Sequence, residues 1–256
     1  MKLKVISLNL WFGGELFDAI LDFLKKEKPD ILACQEVING QDAALSRRYR
    51  SFDVLKAELG YDYAVFSPAF FPAYSKDAKK IAAEWGNAIF SRFPILKTNT
   101  TFYDVAYDGN YAWPEKDFSR TPRNLQEAIL KIGNNQLNFF NTQGIWGFEG
   151  RDTERRLAMA ETIVNETKDK ENVILTGDFN MDSDIKAVAN IEKYLKNVFK
   201  NELTTTFNLK RKGSSGGWAK ATVDKMFVSK NIKISEHYCP KADVSDHLPL
   251  VCVVDL

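Results

Sequence analysis

Val173-Ile174-Leu175-Thr176-Gly177-Asp178-Phe179-Asn180 is the stretch on which the fold of this chain turns. A short apolar, β-favouring run feeds a glycine, then an acid and a carboxamide two residues apart. That pattern reads as a buried strand carrying polar groups at its end. If pleated geometry continues past Gly177, Asp178 and Asn180 point to the same side. The glycine permits a turn or a close approach by a neighbouring backbone. Polar residues mark other apolar runs in the same way: Asn9 after Ser7-Leu8, Glu36 after Ile31-Leu32-Ala33-Cys34-Gln35, Asp224 within Val223-Asp224-Lys225-Met226-Phe227-Val228, and Asp246-His247 before Leu248-Pro249-Leu250.

Working outward, residues 4–10, 30–37, 61–66, 87–91, 95–105, 125–132, 136–142, 173–180, 222–229, 231–238 and 248–255 read as strands. Residues 15–26, 52–59, 153–167 and a region near 184–197 read as helices, the first stopped by Pro29 and the second by Gly60. Two long aromatic-rich connections cover 67–85 and 106–122, the second with Tyr107, Tyr111, Trp113 and Arg120. Strands outnumber helices, and helices separate only some strands. This suits two mixed sheets packed together with helices outside, a layered α/β arrangement. No fixed-period repeat and no Pro/Gly/Ser-rich linker interrupts the 256 residues, so one domain over 1–256 is expected.

Thirty-five basic and 34 acidic residues leave a formal charge of +1, which excludes a strongly basic nucleic-acid coat and makes any polyanion contact local. Arg47-Arg48-Tyr49-Arg50 and Lys210-Arg211-Lys212 are either such contacts or solvated faces. The segment 210–218, with Gly, Ser and Trp218 after its basic run, reads as a flexible loop suited to a nucleic-acid backbone. The three cysteines are scattered, so no disulfide framework is expected, and Cys34 reads as a buried thiol. No Cys-x-x-Cys or His-Glu-x-x-His motif suggests zinc. No window has the length of a membrane span, and the start alternates like a strand without a signal cleavage site, so a cytoplasmic, monomeric protein is expected.

Each polar candidate has a plain structural alternative. Asn9 can open the turn toward Gly13-Gly14. Glu36 beside a core needs a partner, which can be a divalent cation or a basic side chain. Asp178 and Asn180 can form an Asx turn, Asp224 a surface ion pair, and Asp246-His247 a cap on the last strand. His237 reads as structural. Together they fit one chemistry: acids and an amide to hold a hard cation, a carboxylate to orient water, and amide and imidazole donors for phosphate oxygens.

The motifs Ser7-Leu8-Asn9, Gln35-Glu36-Val37, Gly86-Asn87-Ala88-Ile89-Phe90-Ser91-Arg92, Gly177-Asp178-Phe179-Asn180, Val223-Asp224-Lys225-Met226-Phe227-Val228 and Ser245-Asp246-His247-Leu248-Pro249-Leu250 occur in one order along nearly the whole chain. In this the chain resembles the endonuclease/exonuclease/phosphatase superfamily, which includes DNase I, AP endonucleases, tyrosyl-DNA phosphodiesterases, sphingomyelinases and inositol polyphosphate 5-phosphatases. The resemblance implies a DNase I-like four-layer α/β sandwich, two mixed β-sheets face to face with helices outside. It implies Mg²⁺, with Mn²⁺ as a substitute, held by Glu36 with Asn9 and Asp246 as ligands or supports. Asp178 would activate water, Asn180 would hold that water or a phosphate oxygen, and His247, oriented by Asp224, would contact the phosphate. Arg123 falls where the family often places an arginine, and its planar fork suits phosphate, although a surface arginine is the alternative. Gln143, in Asn141-Thr142-Gln143, stands where many members carry histidine. It donates a hydrogen bond but transfers no proton at neutral pH. The implied activity is phosphodiester hydrolysis, with nucleic acid as first substrate class. The alternatives are a small phosphoester or phospholipid headgroup, and a catalytically weakened nucleic-acid or phospho-ligand binding module.

Overall fold

The computed structural model describes residues 1–77, 79–107, 109 and 118–256, without the side chains of Ser119 and Trp218. Tyr111 and Trp113 of the second aromatic connection lie outside the described residues, as does the side chain of Trp218. The strands are β1 (Lys2–Asn9), β2 (Ile31–Asn39), β3 (Tyr63–Phe70), β4 (Ala73–Tyr74), β5 (Lys80–Ile81), β6 (Glu84–Ser91), β7 (Ile95–Phe102), β8 (Asn124–Ile132), β9 (Asn135–Gln143), β10 (Val173–Asp178), β11 (Leu195–Asn197), β12 (Asp224–Ser229), β13 (Lys233–Tyr238) and β14 (Leu250–Asp255). The helices are α1 (Phe17–Glu27), α2 (Ser51–Leu59), α3 (Glu154–Thr167), α4 (Lys186–Glu192) and α5 (Leu209–Lys212).

Two six-stranded sheets form, in the orders β13-β14-β1-β2-β6-β3 and β11-β12-β10-β9-β8-β7. Each has one parallel pair at its centre, β1 with β2 and β9 with β10, among antiparallel neighbours. Those central strands are largely buried on both faces, because both faces are covered. Between the sheets, Leu3, Val5, Ile31 and Ile89 meet Leu130, Phe139, Ile174 and Met226. Outside the first sheet, Ile20 and Leu24 of α1 and Leu55 of α2 pack on Ile6, Leu32 and Phe90. Outside the second, Met159 and Ile163 of α3 and Val188 and Ile191 of α4 cover Phe140 and Leu175. The result is a four-layer DNase I-like sandwich, in which each fully buried Leu, Ile or Phe contributes roughly 1.5–3 kcal/mol. Among the described residues no helix is long and apolar enough to cross a membrane.

At one end of the sandwich the filling between the sheets changes from hydrocarbon to amide. Gln35 Nε2 donates to Asn141 Oδ1 at 2.6 Å, and Asn141 Nδ2 donates to the carbonyls of Cys34 and Ala88, each at 3.0 Å. Asn87 Nδ2 donates to Asn124 Oδ1 at 2.9 Å. Buried amides are costly unless paired, so these bonds tie the two sheets into one register at this end.

Three elements differ from the sequence expectation. The first aromatic connection is shorter, because β3 runs through Pro68 to Phe70 and β4 and β5 form a small hairpin. Proline is tolerated there because β3 is an outer strand. The helical region near 184–197 ends with α4, and Leu195–Asn197 instead pairs along β12. The alternation of 173–180 stops at Asp178.

Gly177 lies opposite Thr142 in the β9–β10 pair, with φ at +145°. A Cβ there would stand 2.0 Å from the Thr142 carbonyl oxygen, a contact that only backbone movement relieves. Gly177→Ala is therefore expected to destabilise the fold by about 2–4 kcal/mol in urea unfolding, far more than an alanine placed in an unstrained strand.

Candidate active site

The parallel strands deliver their carboxyl ends to the amide-rich end of the sandwich, and the sequence candidates converge there. Asn9 closes β1, Gln143 closes β9, Asp178 closes β10, and Asp224 opens the antiparallel β12. Glu36 reaches the site through a local irregularity. The β2–β6 register shifts between Cys34 and Val37, and Glu36 takes φ of +58°, a left-handed conformation uncommon outside glycine. A bulge of this kind re-aims a side chain at a strand end.

One amide joins the two sheets at the centre. Asn9 Nδ2 donates to Glu36 Oε1 and to Asp178 Oδ2, each at 3.1 Å. Glu36 Oε1 also accepts from Gln143 Nε2 at 3.1 Å, and its Oε2 accepts the Phe12 N–H at 2.9 Å. Gln143 Oε1 in turn accepts from Arg123 Nη1 at 2.5 Å. Asp178 Oδ1 accepts the backbone N–H of Asn180 at 3.0 Å, and Asn180 adopts φ of +52°. Asp178 and Asn180 are thus neighbours through an Asx turn, not through a continuing pleat. The plain structural alternative is realised, and it serves the pocket. Opposite, His247 Nδ1 meets Asp224 Oδ2 at 2.8 Å, and the ring packs on Phe207 with centroids 4.6 Å apart. Asp246 Oδ2 is 2.7 Å from Lys212 Nζ.

These groups surround a cavity of about 220 Å³, lined among others by Glu36, Arg123, Asp178, Asn180, Asp246 and His247. Asn9 and Asp224 lie behind its wall, each hydrogen-bonded to a lining residue. His237 lies elsewhere, 2.8 Å from Glu202. The basic runs are spent on neighbours. Arg47 pairs with Asp18 and Glu58, Arg48 with Glu15, and Lys210 and Arg211 with Asp243. The segment after β11 is likewise no featureless loop, since α5 and a 3₁₀ turn at Gly217–Lys220 form within it. Lys212, Trp146 and Phe207 line the pocket without having been singled out as site residues from the sequence. Lys212 had only the signal of its basic run, and the two aromatics had none that separates them from core residues.

The electrostatics follow from crowding carboxylates in a buried space. Burial pushes Asp178 up to about 6. Asp224 and Glu36 add to this, while His247 and the Asn180 N–H work against it. Burial disfavours a charged His247, but the charge and hydrogen bond of Asp224, with Asp246 and Asp178 behind, outweigh it and raise the ring to about 10. Burial also opposes the Lys212 ammonium, yet Asp246, then Glu36 and Asp178, hold it charged above its usual range. Asp178, Asp224 and His247 place ligand atoms within 4.8 Å of one another, close enough for a metal. His247 Nδ1 is already engaged by Asp224 Oδ2 at 2.8 Å, which leaves only Nε2 of the ring to offer an ion. The oxygens of Glu36 and Asp246 suit a hard divalent ion better. Among the described residues, the carboxylates Glu36, Asp178, Asp224 and Asp246 outnumber the cations Arg123, Lys212 and His247 at the pocket, so the charge balance admits such an ion.

A DNase I-like sandwich with carboxylates, amides and an imidazolium around one pocket at the strand ends defines the class. Residues 6–247 match the model of the Endonuclease/Exonuclease/phosphatase family, and the chain belongs to that family. Its members include nucleases, phosphatases and phosphodiesterases. No curated protein sequence matches the chain. The structure of an endonuclease/exonuclease/phosphatase from Beutenbergia cavernae is similar with a TM-score of 0.79 at 16% identity, over 100% of this chain and 72% of that one. The Bacteroides thetaiotaomicron mannosyl-6-phosphatase Bt3783 is similar with a TM-score of 0.70 at 19% identity, over 99% of this chain and 100% of that one. D. rerio TDP2, solved with a single strand DNA product, is similar with a TM-score of 0.70 at 16% identity, over 100% of this chain and 99% of that one. At these identities the likeness establishes the fold.

Any hydrolysis at this pocket that needs Asp178 ionised and His247 protonated is expected to rise as pH climbs through about 6 and to fall only as pH approaches about 10, read as kcat/KM against pH. Asp224→Asn removes the charge that holds the proton on His247, so the alkaline limb should move to lower pH. An unmoved limb would detach His247 from it.

Proposed function

We propose that this protein is a divalent-metal-dependent phosphodiesterase, with Mg²⁺ favoured and Mn²⁺ as substitute, that hydrolyses phosphodiester bonds in nucleic acid. The observation that carries the reading is the buried Asp178 carboxylate, fixed by Asn9 and the Asn180 N–H and raised toward neutrality, in one pocket with the imidazolium of His247. Glu36 and Asp246 would hold the ion, with Asn9 and Gln143 fixing the Glu36 carboxylate. When bound, the ion supplies Lewis-acid polarisation of the phosphoryl group and charge stabilisation of the leaving oxygen.

The remaining steps belong to the chain. Asp178 takes a proton from the attacking water as the new P–O bond forms. The Asn180 side chain, 3.2 Å from the Gly144 carbonyl oxygen and 3.4 Å from Asp178 Oδ2, orients that water or a phosphate oxygen. His247 engages Asp224 through Nδ1, which leaves Nε2–H as its donor to a non-bridging oxygen. Arg123, buried beside Gln143, adds positive charge on the opposite wall. The bond to the leaving group breaks with its electron pair on that oxygen, which takes its proton from solvent because Gln143 has none to give. Gln143 is a positioning residue, set between Arg123 and Glu36. The likeness to TDP2, solved with a single strand DNA product, supports the choice of nucleic acid.

Hydrolysis of DNA and bis-p-nitrophenyl phosphate should be abolished by EDTA and should fall about 10²–10⁴-fold in Asp178→Ala and steeply in Glu36→Ala. Turnover confined to sphingomyelin in the same panel would refute the nucleic-acid assignment, and oligonucleotide binding without turnover of any substrate would favour a binding module. Gln143→Ala should weaken Mn²⁺ binding roughly 10–100-fold in a titration followed by electron paramagnetic resonance, because Glu36 loses a support. Unchanged affinity would remove Gln143 from that role.

A further inference from the structure

The pocket at the strand ends sets the bond that is cut, and the rest of the substrate must lie outside it. The segment between β9 and α3 is built for that purpose. The buried Arg156 guanidinium donates to three backbone carbonyls of this segment, Ile145 at 3.1 Å, Arg151 at 2.7 Å and Gly147 at 3.3 Å. The Gly144 N–H donates to the Asp178 carbonyl at 2.7 Å, and the Gly150 carbonyl accepts the Asp182 N–H at 2.9 Å. Asp152 caps α4 by accepting the Lys186 and Ala187 N–H groups. The segment is therefore clamped at its start, middle and end.

What this rigid segment displays is aromatic. Phe148 is 83% exposed, although burying such a ring would be favourable. Its ring meets Trp146 edge-on, with centroids 4.6 Å apart. Trp146 meets Phe118 at 5.4 Å, and the Arg123 guanidinium lies over Phe118 at 4.9 Å. A row of rings thus leads from the phosphate pocket outward. It borders a second cavity of about 610 Å³, which shares Trp146, Asn180 and Phe207 with the first and is rimmed by Lys220. That volume suits a nucleotide. Its rim also carries Glu149, Arg151 and Asp182, a polar wall that does not suit an acyl chain.

We propose that Trp146 and Phe148 form a nucleobase subsite, in which an unpaired base flanking the scissile phosphate stacks on the exposed Phe148 ring, braced edge-on by Trp146, while the next phosphate meets Lys220. Any base has a face to offer such a platform, so the subsite selects single-stranded over fully paired nucleic acid without selecting sequence. This rests on the nucleic-acid reading of the catalytic pocket and adds the strand state of its substrate.

The test uses short single-stranded DNA oligonucleotides in which each base in turn is replaced by an abasic spacer. In the wild-type protein, loss of one base flanking the cut should raise KM by roughly 10-fold or more, as expected for one lost stacking contact. In Phe148→Ala the same replacement should have no effect, and abasic substrate should be cleaved equally by both proteins. Phe148→Leu, which keeps bulk but not the aromatic face, should behave like Phe148→Ala. Phe148 is exposed, so these variants are expected to retain the wild-type circular dichroism spectrum and melting temperature. Cleavage of oligonucleotides with no base dependence, or with the same dependence in Phe148→Ala, overturns the subsite alone. Turnover of mannose 6-phosphate or sphingomyelin with no oligonucleotide cleaved overturns the nucleic-acid reading and the subsite with it.

Discussion

The constraint on which the structure depends is the gathering of Glu36, Asp178, Asp224 and Asp246 at one end of a closed sandwich. Carboxylates in a low-dielectric space must be paired, protonated or neutralised. The fold answers each differently. Asn9 donates to two of them at once, His247 is held protonated against Asp224, Lys212 closes on Asp246, and Asp178 is left with a raised affinity for a proton. That raised affinity is what the proposed role of Asp178 as proton acceptor would use.

Backbone strain concentrates where those charges are placed. Glu36 and Asn180 adopt positive φ, and Gly177 occupies a position that no side chain can fill. Register shifts also occur in the β13–β14, β3–β6 and β7–β8 pairs. A bulge before Val37 and a turn after Asp178 let two ordinary strand ends aim their polar groups inward, and the amide ties Gln35–Asn141 and Asn87–Asn124 hold the sheets in the register that this aim requires. Strain of this kind persists only where surrounding structure over-determines it.

Gln143 and Lys212 both act on the acids of this pocket. Where many relatives carry an imidazole, Gln143 bridges a guanidinium to the Glu36 carboxylate, so the position is used for support. Lys212, from a short helix just before a glycine, brings an ammonium to the acid that the resemblance assigns to the metal. Lys212 thereby places positive charge at Asp246, while Gln143 adds hydrogen bonds without charge.

Much of this was legible in the chain itself. Apolar runs ending in Asn9, Glu36, Asp178 and Asp246-His247 announce strands with chemistry at their tips, because a polar residue after a buried run needs a reason. Their order matches a known family, and two mixed sheets with outer helices follow from the spacing. The mutual placement was not legible. Only tertiary packing brings β1 of one sheet beside β10 of the other, so that a single amide can bond acids 142 residues apart in sequence, Glu36 and Asp178. Only packing decided that Asp178 and Asn180 meet through a turn, that the basic runs pair with local acids, and that Lys212 reaches Asp246. It also decided that Trp146 and Phe148 stand at the pocket mouth on a segment pinned by Arg156. Periodicity records which residues need burial; which charges must neutralise one another depends on distances that only the folded chain creates.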